Sequence, residues 1–312
     1  MTNMKVLVTG GAGYVGSVLV PMLLANGIAV KAVDNLRFGG LGILPYFRNP
    51  RFHFIAGDIR DEGIVREAVR DVDAIIHLAA IVGFPACKKE PRLAEETNID
   101  ATRLLLKCRD PRQTVLFAST GSLYGSIPDG KCTENTPISP LTIYGRTKAE
   151  AEKAVMDSGN AISYRFATAF GLSPRMRLDL LINDFVYQAL KRNQIIVYEK
   201  DFKRTFIHVY DMARAFVFAL DHIDAMRDQV YNVGSENMNK SKEDIALIIK
   251  KRHDYFLEFA PTGEDLDKRN YEVDYSKIRA AGFHTTISVE DGVDELLKGL
   301  RVIEIYNPYV NA

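Results

Sequence analysis

Residues 8–17 read VTGGAGYVGS and follow a short β-branched run, KVLV, at residues 5–8. This strand, glycine turn and helix start constrain the chain more than any other feature. Gly10, Gly13 and Gly16 recur at every third position, with Tyr14 and Val15 inside the turn. The first glycine permits a tight turn, the second lets main-chain amides approach a diphosphate, and the third lets helix and strand pack closely. The helix N-terminus adds unpaired amides and the positive end of its dipole. Asp34, followed by Asn35, closes the second apolar run at about the spacing of a ribose-binding acid. A carboxylate there accepts bonds from both ribose hydroxyls and repels a 2′-phosphate, so the pattern predicts NAD rather than NADP.

The rest of the first half repeats the same alternation. Strands are predicted at Lys5–Thr9, Ala29–Asp34, Phe52–Ala56, Ala74–Leu78, Thr114–Ser119 and Ala161–Phe166. Helices are predicted near Val15–Asn26, Glu62–Arg70, Arg92–Asp110 and Tyr144–Asp157. The first four strands are nearly continuous apolar runs, as parallel strands buried on both faces should be. Strand-helix repetition with right-handed crossovers gives a Rossmann-type, doubly wound parallel α/β sheet. GDIRD after the third strand places Asp58 and Ile59 where an adenine ring could be hydrogen-bonded and covered. HLAA after the fourth places Leu78, Ala79 and Ala80 where bulk would obstruct a dinucleotide, and His77 reads as a satisfied strand-end residue. Beyond Gly171 the alternation weakens. We expect an NAD-binding domain over 1–172 and a smaller substrate lobe over 173–312, with 205–234 returning to the first domain.

Composition narrows the function classes. Forty basic residues balance forty acidic ones, so no global field recruits nucleic acid or an anionic membrane. No apolar run reaches membrane-spanning length, and the N-terminus reads as a strand rather than a signal peptide. Cys87, Cys108 and Cys132 are too few and too scattered for a disulfide framework, and six histidines show no metal-ligand spacing. A cytoplasmic protein without a bound metal is expected.

FASTGSLYG at 117–125 ends an apolar run in hydroxyl residues. Downstream, Tyr144 and Lys148 in YGRTK stand at helical i, i+4 spacing, which puts phenol and ammonium on one face. A phenol is a poor base at neutral pH, but a neighbouring ammonium and a cationic nicotinamide ring favour its phenolate. Together with DNL, GDIRD, HLAA, YRFATAFG and RTFIHVYDMA, these segments resemble the extended short-chain dehydrogenase/reductase family, specifically its nucleotide-sugar epimerases and dehydratases. The resemblance implies Tyr144 as catalytic base and Lys148 as holder of the nicotinamide ribose. It implies Thr120 as the hydroxyl that orients the reacting sugar, and Arg204 as a grip on the nucleotide diphosphate. Ser119 and Ser122 read as supporting hydroxyls, and Tyr124 as a packing or sugar-stacking ring.

The 4,6-dehydratase branch places Asp-Glu directly after its catalytic Thr, where this chain has Gly121 and Ser122. Neither can act as the acid or base that eliminating water requires. The second half resembles sugar-nucleotide enzymes of polysaccharide gene clusters, including GDP-manno-heptose C4 dehydrogenases, through SPRMRLDLLINDF and GEDLDKRNYEVDYSKI. That likeness implies Arg175, Arg177 and Asn183 facing diphosphate or sugar, with Arg269 and Tyr271 closing over the nucleotide. It also implies a homodimer built on the helices near Arg92–Asp110 and Tyr144–Asp157. The leading expectation is an NAD-dependent nucleotide-sugar 4-epimerase. A net C4 dehydrogenase or ketoreductase is the second reading, and a non-catalytic NAD-binding sensor the third.

Overall fold

The computed structural model describes residues 4–126, 130–261 and 271–303. Seven parallel strands form the main sheet: β1 (Lys5–Thr9), β2 (Ala29–Asp34), β3 (Phe52–Ala56), β4 (Ala74–His77), β5 (Thr114–Thr120), β6 (Ala161–Phe166) and β7 (Gln229–Val233). Their spatial order is β7-β6-β5-β4-β1-β2-β3. Chain order reverses between β1 and β4, and this switch point opens a crevice at the strands' carboxyl ends.

Alternating side chains on each strand supply two cores. Val6, Val8, Ile76 and Leu116 pack on one face with Leu19, Val20 and Leu23 of α1 (Gly16–Ala25). Leu7, Ile75, Val115 and Phe117 pack on the other, beneath α2 (Glu62–Val69), α3 (Ala101–Cys108) and α4 (Ile143–Asp157). Each fully buried aliphatic side chain contributes roughly 1.5–3 kcal/mol relative to exposure. Asp61, the second acid of GDIRD, caps α2 by accepting from Gly63 N at 2.7 Å and Ile64 N at 3.2 Å.

Two expected boundaries move. β4 stops at His77, and β5 runs on to Thr120. The helix expected over Arg92–Asp110 is segmented. Pro91–Glu95 is α-helical, Glu96–Asp100 is a π turn, and α3 follows. The wider turn disturbs the i→i+4 register, and Thr102 Oγ1 donates to the Asn98 carbonyl at 2.8 Å.

The smaller lobe gathers around α5 (Leu181–Arg192), where Ile182 and Val186 meet Ile195, Ile245, Val293 and Leu296. Strand Lys203–His208 runs beside Thr168–Phe170 and Asn239–Ser241 in a three-stranded sheet. The chain then crosses back as α6 (Val209–Asp221), whose Phe216 shares the core of α1, and enters the main sheet as β7 beside β6.

Candidate active site

A cleft of about 340 Å³ lies along the carboxyl ends of β1, β2, β4, β5 and β6. Gly10 has φ +72°, and a Cβ there would meet Ala79 N at 2.9 Å; a Cβ on Gly16 would lie 2.2 Å from Gly10 O. Both approaches demand glycine. No side chain caps α1, so its N-terminal dipole faces the crevice. Asp34 accepts from Ala12 N at 3.0 Å and Leu36 N at 2.8 Å, which fixes the acid against the glycine turn. Burial pushes its carboxyl up, while those amides oppose the shift. Asp58 receives Asn35 Nδ2 at 3.1 Å, and the bonded Arg60 guanidinium holds its carboxyl down at about 2.

Every expected cofactor position lines this cleft: Gly10, Gly13, Tyr14, Val15, Gly16, Asp34, Asn35, Asp58, Ile59, Leu78, Ala79 and Ala80, together with Tyr144 and Lys148. The phosphate-sized turn, the ribose-height acid and the small wall of Ala79 and Ala80 fit a dinucleotide.

Thr120, Ser122, Thr142, Tyr144 and Lys148 share the opposite end of the cleft. Thr142 caps α4 by accepting from Gly145 N at 3.1 Å, which sets the height of Tyr144. Lys148 is 3% exposed, and its ammonium lies 3.9 Å from the centre of the Phe117 ring. Burial lowers its pKa to about 7, while the charge of Glu152 opposes the shift. Glu152 itself receives Arg165 Nη2 at 2.7 Å and Ser163 Oγ at 2.9 Å. Thr120 Oγ1 bonds Ser122 Oγ at 3.1 Å and accepts from Ser122 N at the same distance.

A buried chain of bonds joins the two ends. Ala79 N donates to Thr9 Oγ1 at 3.2 Å, and Thr9 Oγ1 meets His77 Nδ1 at 2.7 Å. His77 Nε2 meets Thr102 Oγ1 at 3.0 Å. Because the Thr102 proton goes to Asn98 O, His77 must donate from Nε2 and accept at Nδ1 as a neutral ring. Burial, aided by the Lys148 charge, depresses its pKa to about 3. Asn98 clamps both main-chain groups of Ile81 and donates to Thr147 Oγ1 at 3.0 Å; Thr147 in turn donates to Tyr144 O at 3.1 Å. No motif-level signal marked Asn98, because its partners are 17 and 49 residues away.

The expected substrate residues separate. Arg177 and Tyr271 line the cleft, with Arg177 bonded to Asp179 through two nitrogens. Arg175 also lines it, but at the cofactor end. Its guanidinium stacks 3.9 Å over Phe38 and feels the charge of Asp34. Burial lowers its pKa to about 10, assisted by the charge of Arg177. Asn183 is fully buried behind the wall and bonds Gly171 N at 2.9 Å, Arg177 O at 2.9 Å and Tyr14 Oη at 3.2 Å. Arg204 is 3% exposed in the three-stranded sheet and is not among the described lining residues. Arg269 lies outside the described residues. Tyr124 is fully buried, donates to Asn232 Oδ1 at 2.6 Å and accepts from Arg165 at 3.0 Å, so it packs rather than meeting a sugar. Phe38, Phe84 and Met212 also line the cleft and carried no sequence signal; Arg37, the basic residue three positions after Asp34, lines it too.

Tyr271 explains Gly121. A Cβ on that glycine would lie 3.1 Å from the Tyr271 hydroxyl. Among the described lining residues the carboxylates are Asp34 and Asp58, both at the adenosine end. No helix is long and apolar enough to cross a membrane among the described residues, and none of their His, Cys, Asp and Glu side chains cluster as a metal site.

The fold and this cleft define an NAD-dependent enzyme of the short-chain dehydrogenase/reductase class. The chain belongs to the NAD dependent epimerase/dehydratase family, whose pattern matches residues 6–234. It is 32% identical over 305 residues to the low-salt glycan biosynthesis protein Agl12 of Haloferax volcanii, covering 93% of this chain and 96% of that one. It is 30% identical to a dTDP-glucose 4,6-dehydratase of Actinoplanes sp., covering 96% and 98%. The structure matches that of UDP-glucuronic acid 4-epimerase from Bacillus cereus, solved with UDP-glucuronic acid and NAD, at a TM-score of 0.86 and 26% identity, covering 96% and 99%.

Proposed function

We propose that this chain is an NAD-dependent nucleotide-sugar 4-epimerase. Tyr144 accepts the proton of a sugar hydroxyl while the hydride leaves the same carbon, giving a keto-sugar; Thr120 holds that oxygen as charge develops. Bound NAD supplies the hydride acceptor and then the donor. Lys148 stands one helical turn from Tyr144, favours its phenolate when protonated, and holds the cofactor ribose. Gly10, Gly13 and the α1 N-terminus hold the diphosphate of the cofactor, Asp34 the adenosine ribose, and Asp58 with Ile59 the adenine. Arg175 serves the cofactor end, and Arg177 with Tyr271 the sugar nucleotide. When the keto-sugar presents its other face, Tyr144 returns the proton and the opposite configuration results.

One observation carries the choice among family reactions. The position after Thr120 where an eliminating acid would stand is a glycine against the Tyr271 hydroxyl, and no described carboxylate lines that end of the cleft. Water elimination therefore lacks its second acid–base pair, although relatives include dehydratases. The test is a panel of UDP-, GDP-, dTDP- and CDP-sugars followed by product NMR and by the absorbance of reduced nicotinamide. Epimer mixtures without net reduction of NAD are expected. Stoichiometric reduced NAD would instead assign a net dehydrogenase, and a 4-keto-6-deoxy product a dehydratase. Tyr144→Phe should abolish turnover and leave NAD affinity intact.

A further inference from the structure

Among the described residues, one buried side-chain oxygen has no hydrogen-bond partner: Ser119 Oγ. Ser119 is 4% exposed, and it lines the cleft. A buried hydroxyl without a partner carries a penalty comparable to a lost hydrogen bond, and native structures rarely retain one without a use. Its neighbours are satisfied. Thr120 and Ser122 bond one another, and Thr142 caps α4.

Strand alternation shows what surrounds this hydroxyl. Phe117 and Ser119 lie two positions apart on β5 and so share the face of the sheet beneath α4. The Lys148 ammonium sits over the Phe117 ring on that face, 3.9 Å from its centre. Ser119 is thus one pleat nearer the strand end than the lysine head, and both border the same end of the cleft. A hydroxyl that both donates and accepts, next to a buried ammonium that only donates, suits a ligand rich in hydroxyl and amide groups.

We propose that Ser119 is a cofactor-binding residue whose Oγ bonds a polar group of the nicotinamide half of the dinucleotide, beside Lys148. The contact holds whichever sugar reaction the site performs.

A ladder of ligands tests it on the NAD-free full chain by calorimetric titration with NAD, ADP-ribose and ADP. Ser119→Ala should weaken NAD roughly tenfold while ADP is unchanged. ADP-ribose should weaken with NAD if the partner is the ribose, and should stay with ADP if it is the nicotinamide amide; either pattern supports the contact. Unchanged NAD affinity would overturn it, as a trapped water at Ser119 would give. Equal weakening of all three ligands would also overturn it, since that reports a distorted cleft. Ser119→Cys, which keeps the volume but bonds weakly, should reproduce the selective loss of NAD affinity and guards against a packing defect in the alanine variant.

Discussion

Lys148 holds a positive charge in a place that disfavours it. The unfolded chain keeps the ordinary lysine value of 10.5, whereas burial lowers it to about 7 in the folded protein. Below pH 7 both states are protonated, and the folded state bears the full desolvation penalty. Between about pH 7 and 10 the unfolded chain holds a proton that the native one has released, so stability rises with pH across that window. Lys148→Met should therefore stabilise the NAD-free protein at pH 7 by on the order of 2 kcal/mol, seen in urea unfolding, while turnover is lost. A destabilised Met variant would show that the ammonium is better solvated than its 3% exposure implies. Gly121 supplies a second residue-scale test. Gly121→Ala pushes a methyl to 3.1 Å from the Tyr271 hydroxyl and should cost about 1 kcal/mol. In Tyr271→Phe the same alanine should cost nothing measurable, and additive effects in that double-mutant cycle would rule out the contact.

At the scale of elements, His77 ties β1 and β4 to the π turn and, through Asn98 and Thr147, to the start of α4. Its ring must stay neutral for the chain of donors and acceptors to close. With a folded pKa of about 3 against an ordinary 6.5, the unfolded chain binds the extra proton as pH falls below 6.5. Stability is thus lost on acidification between those values. At pH 5 the loss from this one group is about 2 kcal/mol, from 1.5 units at 1.36 kcal/mol each. His77→Phe keeps the ring volume and removes the titration. Its stability difference between pH 7 and pH 5 should be smaller than the wild-type difference by that amount; equal differences in the two proteins would show that His77 does not titrate as described.

For the whole molecule, the cleft is assembled from both lobes: the carboxyl ends of β1, β2, β4, β5 and β6 from the main sheet, and the Arg175–Leu180 segment from the smaller lobe. The glycine turn is bolted to that lobe, since Tyr14 Oη donates to Gly171 O and Ser173 Oγ to Tyr14 O, each at 2.7 Å. Occupying the cleft should therefore stabilise both together. NAD at a hundredfold excess over its Kd adds about 2.7 kcal/mol, or a rise of roughly 4 °C in Tm as a single transition. Two transitions, only one of them shifted, would mean that the lobes melt apart. We also propose a homodimer across the helical segments near Arg92–Asp110 and Tyr144–Asp157; sedimentation at micromolar concentration should give twice the chain mass, and a monomer there would discard that assembly.

Local chemistry was readable in the sequence by itself. Glycine spacing after a β-branched run, the acid closing the second strand and the Tyr144/Lys148 interval are short-range patterns, and turn geometry and helical periodicity tie each to a place in the fold. Most of the expected cofactor positions that line the cleft follow strand ends, because parallel strands present those ends to one crevice, whereas Tyr144 and Lys148 come from α4. Tertiary structure decided what depends on distant partners. Strand alternation alone could not tell that Arg204 is buried in the smaller sheet, nor that Arg175 stacks on Phe38 and feels the charge of Asp34. Asn183 and Tyr124, polar groups of the expected site, are held in the interior by bonds to residues up to 169 and 108 positions away. Whether a polar side chain meets a ligand or a neighbour depends on which donors and acceptors the fold brings within about 3 Å, and that information is not local in the chain.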